Sequence, residues 1–126
     1  MEIIIIDNNK FIAKDLEFGL RQHNIQCCIA QNINKGIELI KERLCCLIIL
    51  ELVLSSENGF EFLEKRARDK DLLNIPVFIY SVLSQKSDKE KAIALGAAEY
   101  WPKSEYPPEE IIKKVAEFVA VKLIDK

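Results

Sequence analysis

The chain has 126 residues, of which 49% are apolar and 30% charged, and it carries a net charge of −2. That balance suits a folded domain with its own core and excludes a disordered chain. The charges are dispersed, with no basic patch to neutralise phosphates, and no apolar run approaches the roughly 18 residues of a membrane span, so neither nucleic acid nor a membrane is expected as a direct partner.

The first residues, Met1-Glu2 followed by four isoleucines, have no basic n-region and no long apolar h-region, so they read as a buried strand over 2–6 rather than a signal peptide. From Asn9 to His23 the pattern turns helical, with Ile12, Leu16 and Leu20 recurring every four residues. Residues 25–30 read as a second strand. Residues 32–44 put Ile33, Ile37, Ile40 and Leu44 on one helical face. Residues 45–51 form a third strand, an apolar run that ends abruptly in Glu51. A helix with Phe60 and Leu63 apolar covers 58–69. Pro76 opens a fourth strand over 77–81. Ser87 and Glu90 have the spacing of a capping box, starting a short helix that ends at Gly96. Residues 98–102 form a fifth strand, and Pro102 cannot donate to a ladder, so that strand belongs at an edge. Pro107 and Pro108 introduce a last helix, whose apolar face is Ile111, Val115, Phe118 and Val119.

Five strands alternating with five helices predict an α/β fold of (βα)5 type, a doubly wound parallel sheet covered on both faces. The flavodoxin-like strand order 2-1-3-4-5 fits it. Residues 1–126 read as one domain, without linker, repeat or low-complexity segment. Cysteine comes as two adjacent pairs, Cys27-Cys28 and Cys45-Cys46. Neighbouring strand side chains point to opposite faces, so neither pair can readily chelate one ion, and the thiols are expected to be buried and structural. Free thiols suit a reducing compartment, hence the cytoplasm.

In such a sheet, ligands bind at the carboxyl ends of the strands. The first strand ends in Asp7-Asn8-Asn9, the third in Glu51 and the fourth in Ser81, while Lys103 follows the fifth. With strands one and three adjacent, Asp7, Asn8 and Glu51 converge, flanked by Ser81 and Lys103. Two acids, a hydroxyl and an ammonium at one sheet edge suit a hard cation and a phosphoryl group. His23 near a helix end is read as a surface or capping residue and Trp101 as packing. Neither a glycine-rich phosphate cradle nor a Cys/His or Ser/His dyad is present, so no catalytic residue is assigned and the chain is not read as an enzyme.

These residues resemble the receiver domain of two-component response regulators, the CheY-like fold, over the whole chain. Asp7 and Asn8 match the family's acidic pair, position 51 its phosphoacceptor, Gly59 its glycine eight residues on, Ser81 its hydroxyl, Lys103 its lysine and Tyr100 its rotamer-switching aromatic. The resemblance implies a Mg²⁺ held by Asp7, the position-51 carboxylate and the Val53 carbonyl. It also implies signalling through a face made of the fourth helix, fifth strand and fifth helix, with Tyr100 on that face and a histidine kinase or an output domain as partner.

Several departures surround that pocket. The acceptor is Glu51 instead of Asp, and the second acid is the neutral Asn8. Val82 stands where a small residue is usual. Ser104 replaces the proline that often has a cis bond, and Leu54-Ser55-Ser56 lacks the usual proline. Mg²⁺ demands near-ideal octahedral geometry, and an attacking carboxylate displaced by about 1 Å is costly, so a weak or absent metal site and a degenerate, phosphorylation-independent receiver are expected. Three readings of Glu51 stand: a solvated strand end, an ion pair with Lys103, or a built-in imitation of a phosphoryl group. Two alternative functions also stand. One is an active receiver phosphorylated at a nearby acid such as Asp7. The other is a flavodoxin-like nucleotide or flavin domain, disfavoured by the lack of a Ser/Thr/Gly-rich loop after the first strand.

Overall fold

The computed structural model describes residues 1–124. In chain order the elements are β1 (Glu2–Ile6), α1 (Lys10–Gln22), β2 (Gln26–Ala30), α2 (Ile33–Glu42), β3 (Cys45–Leu50), α3 (Gly59–Ala67), β4 (Val77–Ser81), α4 (Lys86–Ala94), β5 (Glu99–Pro102) and α5 (Pro108–Ile124). The strands form one sheet in the order β2-β1-β3-β4-β5, and every pairing is parallel.

The continuous apolar runs follow from this layering. A strand with helices on both faces must be apolar at every position, because alternate side chains enter different cores. Ile4, Ile6, Ile48, Leu50, Val77 and Ile79 meet α2, α3 and α4 on one face. Ile3, Ile5, Leu47, Ile49, Phe78 and Tyr80 meet α1 and α5 on the other. All four β1 isoleucines are fully buried, each contributing about 1.5–3 kcal/mol by burial. The cysteine pairs split in the same way. Cys28 and Cys45 pack on the first core, and Cys27 and Cys46 on the second. Only Cys27 is completely buried; the other three are half-buried, short of the full burial expected.

Asparagine starts three of the helices. Asn9 Oδ1 accepts from the N–H groups of Phe11 and Ile12, Asn32 Oδ1 from Lys35 and Asn58 Oδ1 from Phe60. His23 closes α1 as its exposed C-cap, and Asn24 then turns with φ 61°. Two sequence expectations are corrected here. Ser87 does not cap α4: the helix begins two residues earlier, after Gln85, whose carbonyl already accepts from Asp88 and Lys89. Lys86, which a cap at Ser87 would leave outside the helix, is its first residue and lies 3.8 Å from Glu90 at i,i+4. Leu44 does not join the apolar face of α2 either. That helix stops at Glu42, and the Leu44 carbonyl instead accepts the Glu2 N–H at 2.8 Å, leaving its side chain exposed. The end of α4 follows the sequence: Ala97 N–H returns to Ala92 O and Gly96 N–H to Ile93 O, with Gly96 at φ +106°.

Candidate functional site

The carboxyl ends of β1, β3, β4 and β5 lie side by side, and each delivers one polar residue. Asp7, Glu51 and Ser81 are all buried, and the Lys103 side chain is only 8% exposed. Such burial of charge is tolerable only with partners. Lys103 Nζ donates to Asp7 Oδ2 at 2.7 Å and lies 3.0 Å from Glu51 Oε1, so one ammonium bridges two carboxylates. Lys103 Nζ also lies over the Tyr80 ring, 5.6 Å from its centroid. The Lys103 N–H holds the Ser81 carbonyl at 2.7 Å, fixing where the side chain leaves β5.

Glu51 is enclosed by donors. Its Oε2 accepts from the Leu52 N–H at 2.7 Å and the Val53 N–H at 3.1 Å, and its Oε1 accepts from the Val82 N–H at 3.2 Å as well as facing Lys103. Asp7 Oδ1 accepts the Asn9 N–H at 2.8 Å. Burial pushes the Asp7 carboxyl above its ordinary value. Lys103 and the Asn9 N–H pull it back only in part, and the Glu51 charge adds to the rise.

The remaining residues lie around this centre. Asn8 turns outward and donates Nδ2 to Ser55 Oγ at 2.8 Å. Ser81 Oγ accepts the Leu83 N–H at 3.1 Å. The resemblance puts Tyr100 on the surface, but the structure buries it. It is 5% exposed among the side chains facing α3 and α4, and its hydroxyl donates to Leu83 O at 2.8 Å. β5 places it there because strand alternation sends Tyr100 to one core and Trp101 to the other, where Trp101 meets Phe78 edge-on at 5.1 Å. Burial raises the Tyr100 hydroxyl to about 12, with Asp88 and Glu51 adding to the rise. Above it, Ser84, Lys86, Lys89, Glu105 and Tyr106 line a shallow groove of about 230 Å³. No cis peptide occurs among the described residues, so Lys103–Ser104 is trans.

The donor set inferred for Mg²⁺ does not fit a divalent cation. An ammonium already sits between Asp7 and Glu51, both Glu51 oxygens are committed to N–H groups, and Asn8 supplies no charge. Among the described residues no three acidic, histidine or cysteine side chains converge.

The three backbone N–H groups on Glu51 are the part of the site that sequence reading missed. Every residue but proline has an N–H, so only the loop conformation reveals which ones converge. Gly59 is what the loop after β3 requires. Its N–H donates to Leu52 O at 2.8 Å, and a Cβ there would stand 2.7 Å from Leu52 Cα and 2.9 Å from Glu51 O. Backbone cannot yield as a side chain can. Overpacking of about 1–3 kcal/mol therefore exceeds the helix-propensity gain of up to ~1 kcal/mol. Gly59→Ala is expected to lower stability by about 1 kcal/mol or more, read as a reduced urea midpoint; an unchanged midpoint would mean the loop is free to shift.

The profile of the response regulator receiver domain matches residues 3–116. Among curated proteins, the chain is 24% identical to the phosphate regulon transcriptional regulatory protein PhoB of Pseudomonas aeruginosa over 113 residues, 90% of this chain and 49% of that protein. It is 27% identical to protein PilH of the same organism over 101 residues, 80% of this chain and 84% of that one. The chain thus spans about half the length of PhoB and most of PilH. A CheY-like receiver domain structure from Methanospirillum hungatei superposes with a TM-score of 0.84 at 18% identity, covering 99% of this chain and 98% of that one. Receiver domains are signalling modules that interact with proteins such as kinases and output domains. The profile match, the strand order and the neighbouring structures agree: this chain belongs to the response regulator receiver domain family of two-component signalling.

Proposed function

We propose that this receiver signals without phosphoryl transfer, by protein contact, with Glu51 permanently filling the place a phosphoryl group would take. The observation that carries the reading is the donor set on Glu51: three backbone N–H groups and the Lys103 ammonium, at 2.7 to 3.2 Å. These are preorganised donors of the kind that stabilise an anion in a site closed to water. A carboxylate already satisfied by four donors is a poor nucleophile, and its lone pairs are not free for in-line attack. The Lys103 bridge ties the ends of β1, β3 and β5 into one arrangement, and the Tyr100–Leu83 bond holds the loop between β4 and α4. The face made by α4, β5 and α5 is then presented in one conformation, with the groove beside Lys86, Lys89 and Tyr106 as the contact for a kinase or output domain. Reduced cysteines such as Cys27, Cys28 and Cys45 fit action in a reducing compartment such as the cytoplasm.

Incubation with acetyl phosphate and Mg²⁺, followed by intact mass measurement, tests the reading. No phosphoryl adduct is expected. A stoichiometric hydroxylamine-labile adduct contradicts it, and peptide mapping of that adduct to Asp7 would establish the alternative of an active receiver using a neighbouring acid.

A further inference from the structure

The sheet has two edges, and the sequence treats them differently. β5 carries Glu99 and Pro102 and is followed by Lys103, devices that blunt an edge against pairing. β2, at the opposite edge, has none of them. From residue 22 to residue 34 there is no Asp, Glu, Lys or Arg, in a chain that is 30% charged. Burial explains the absence of charge in a central strand such as β4. It does not explain it at an edge, where Cys28 and Ile29 are half-buried and Gln26 and Gln31 exposed.

The open backbone groups can be assigned. The Ala30 carbonyl accepts the Asp7 N–H on the β1 side. Alternation then turns Gln26, Cys28 and Ala30 toward β1, and Cys27 and Ile29 outward. Among the described residues, one side chain meets this outer edge: Arg21 Nη2 lies 3.4 Å from Cys27 O, a long contact from a side chain that is 61% exposed and also faces Glu17 at 3.5 Å. The Ile25 N–H, just before the strand, is taken by Leu20 O.

We propose that the outer edge of β2 is an interaction surface for a second copy of this chain, joined antiparallel across a two-fold axis. In an isologous contact the residue on the axis faces its own counterpart and its neighbours lie close to theirs, so a charge there would meet its like. A strand without charges meets that condition, and β5 does not. Within β2, the register centred on Cys28 pairs Cys27 with Ile29 of the second copy and satisfies all four open groups of each strand. A register centred on Cys27 would need the occupied Ile25 N–H. Arg21 must swing aside, which its exposure permits. In the favoured register the two Cys28 residues oppose each other as a non-hydrogen-bonded pair, about 4.5 Å apart at Cα, within the span a disulfide bridges. Cys27, buried against α1, cannot be reached. β2 lies at the far edge from β5, so this contact leaves the α4–β5–α5 face open.

Sedimentation velocity from low-micromolar to sub-millimolar protein tests this, on the wild type and on Gln26→Lys/Gln31→Lys. Both glutamines are exposed, and circular dichroism checks that the variant keeps its fold. A concentration-dependent dimer is expected, weakened about tenfold or more by the two lysines. Diamide, which removes one hydrogen from each thiol as the S–S bond forms, should trap a dimer linked through Cys28 that Cys28→Ser abolishes. A monomer throughout the range, a dimer untouched by the lysines, or a trapped dimer linked elsewhere than Cys28 would overturn the proposal.

Discussion

Lys103→Met is expected to cost about 3–5 kcal/mol of folding stability at neutral pH, the penalty for stripping a buried charge of its partner. Two buried carboxylates, Asp7 and Glu51, share that one ammonium at 2.7 and 3.0 Å. Without it Glu51 keeps its backbone donors, and Asp7 keeps only the Asn9 N–H. The loss should therefore depend on pH in a definite direction. Burial already holds the Asp7 carboxyl above its ordinary value, and Lys103 is the largest influence pulling it down, so the variant raises it further. A carboxyl whose folded pKa lies above its unfolded one makes the folded state bind the proton more tightly. Its contribution to stability is complete below the unfolded pKa and is lost as pH rises through the folded one. Urea denaturation across a pH series should thus find the variant least impaired in acid and most impaired at neutral pH. An equal deficit at every pH, or one below about 1 kcal/mol, the value of an exposed ion pair, would mean that the bridge is not the buried, partnered device described above.

Glu51→Asp combined with Asn8→Asp is expected to give a protein that binds Mg²⁺ where the wild type does not. The shorter arm withdraws the carboxylate from the Val82 N–H and from Lys103, and the second change restores a charge at the position of Asn8, now spent on Ser55. Even in bulk water two unit charges 4 Å apart interact by about 1 kcal/mol. One added carboxylate facing a divalent ion therefore tightens binding by roughly tenfold or more. Isothermal titration with Mg²⁺ measures this directly. If the double variant still ignores Mg²⁺, the obstacle is the Lys103–Asp7 bond rather than the carboxylate geometry, and the explanation from arm length and charge fails.

Most of the fold could be read in the chain. The β1 run of four isoleucines needs burial on both faces, and the alternation of such runs with helical spacing leads to a covered parallel sheet. What escaped depended on information that side-chain type does not hold. Leu44 matches the apolar periodicity of α2, but the chain has already left the helix to donate from Glu2 to its carbonyl. Ser87 and Glu90 have capping spacing, but helix starts are set by backbone geometry as well as by cap residues, and Gln85 takes the position. Tyr100 was placed on a functional face by analogy, whereas strand alternation buries it. Arg66, only 8% exposed with Nε donating to Ile75 O at 2.9 Å, has the composition of a surface residue and the position of a core one.

The site divides in the same way. Its side chains, Asp7, Glu51, Ser81 and Lys103, could be named because each ends or follows an apolar run. Their convergence follows from the strand order. What settles how Glu51 is held, by Leu52, Val53 and Val82, is backbone, and a sequence does not distinguish one N–H from another.

With Glu51 in the phosphoryl place, beryllofluoride has no site to fill. The amides of Val53 and Val82 report on that place directly, since each donates to a Glu51 oxygen, at 3.1 and 3.2 Å, whereas Trp101 packs away in the α1/α5 core. Backbone NMR during titration with beryllofluoride and Mg²⁺ addresses the claim directly. The Val53 and Val82 resonances are predicted not to move. Saturable shifts of both would show the phosphoryl place to be vacant and would contradict the account.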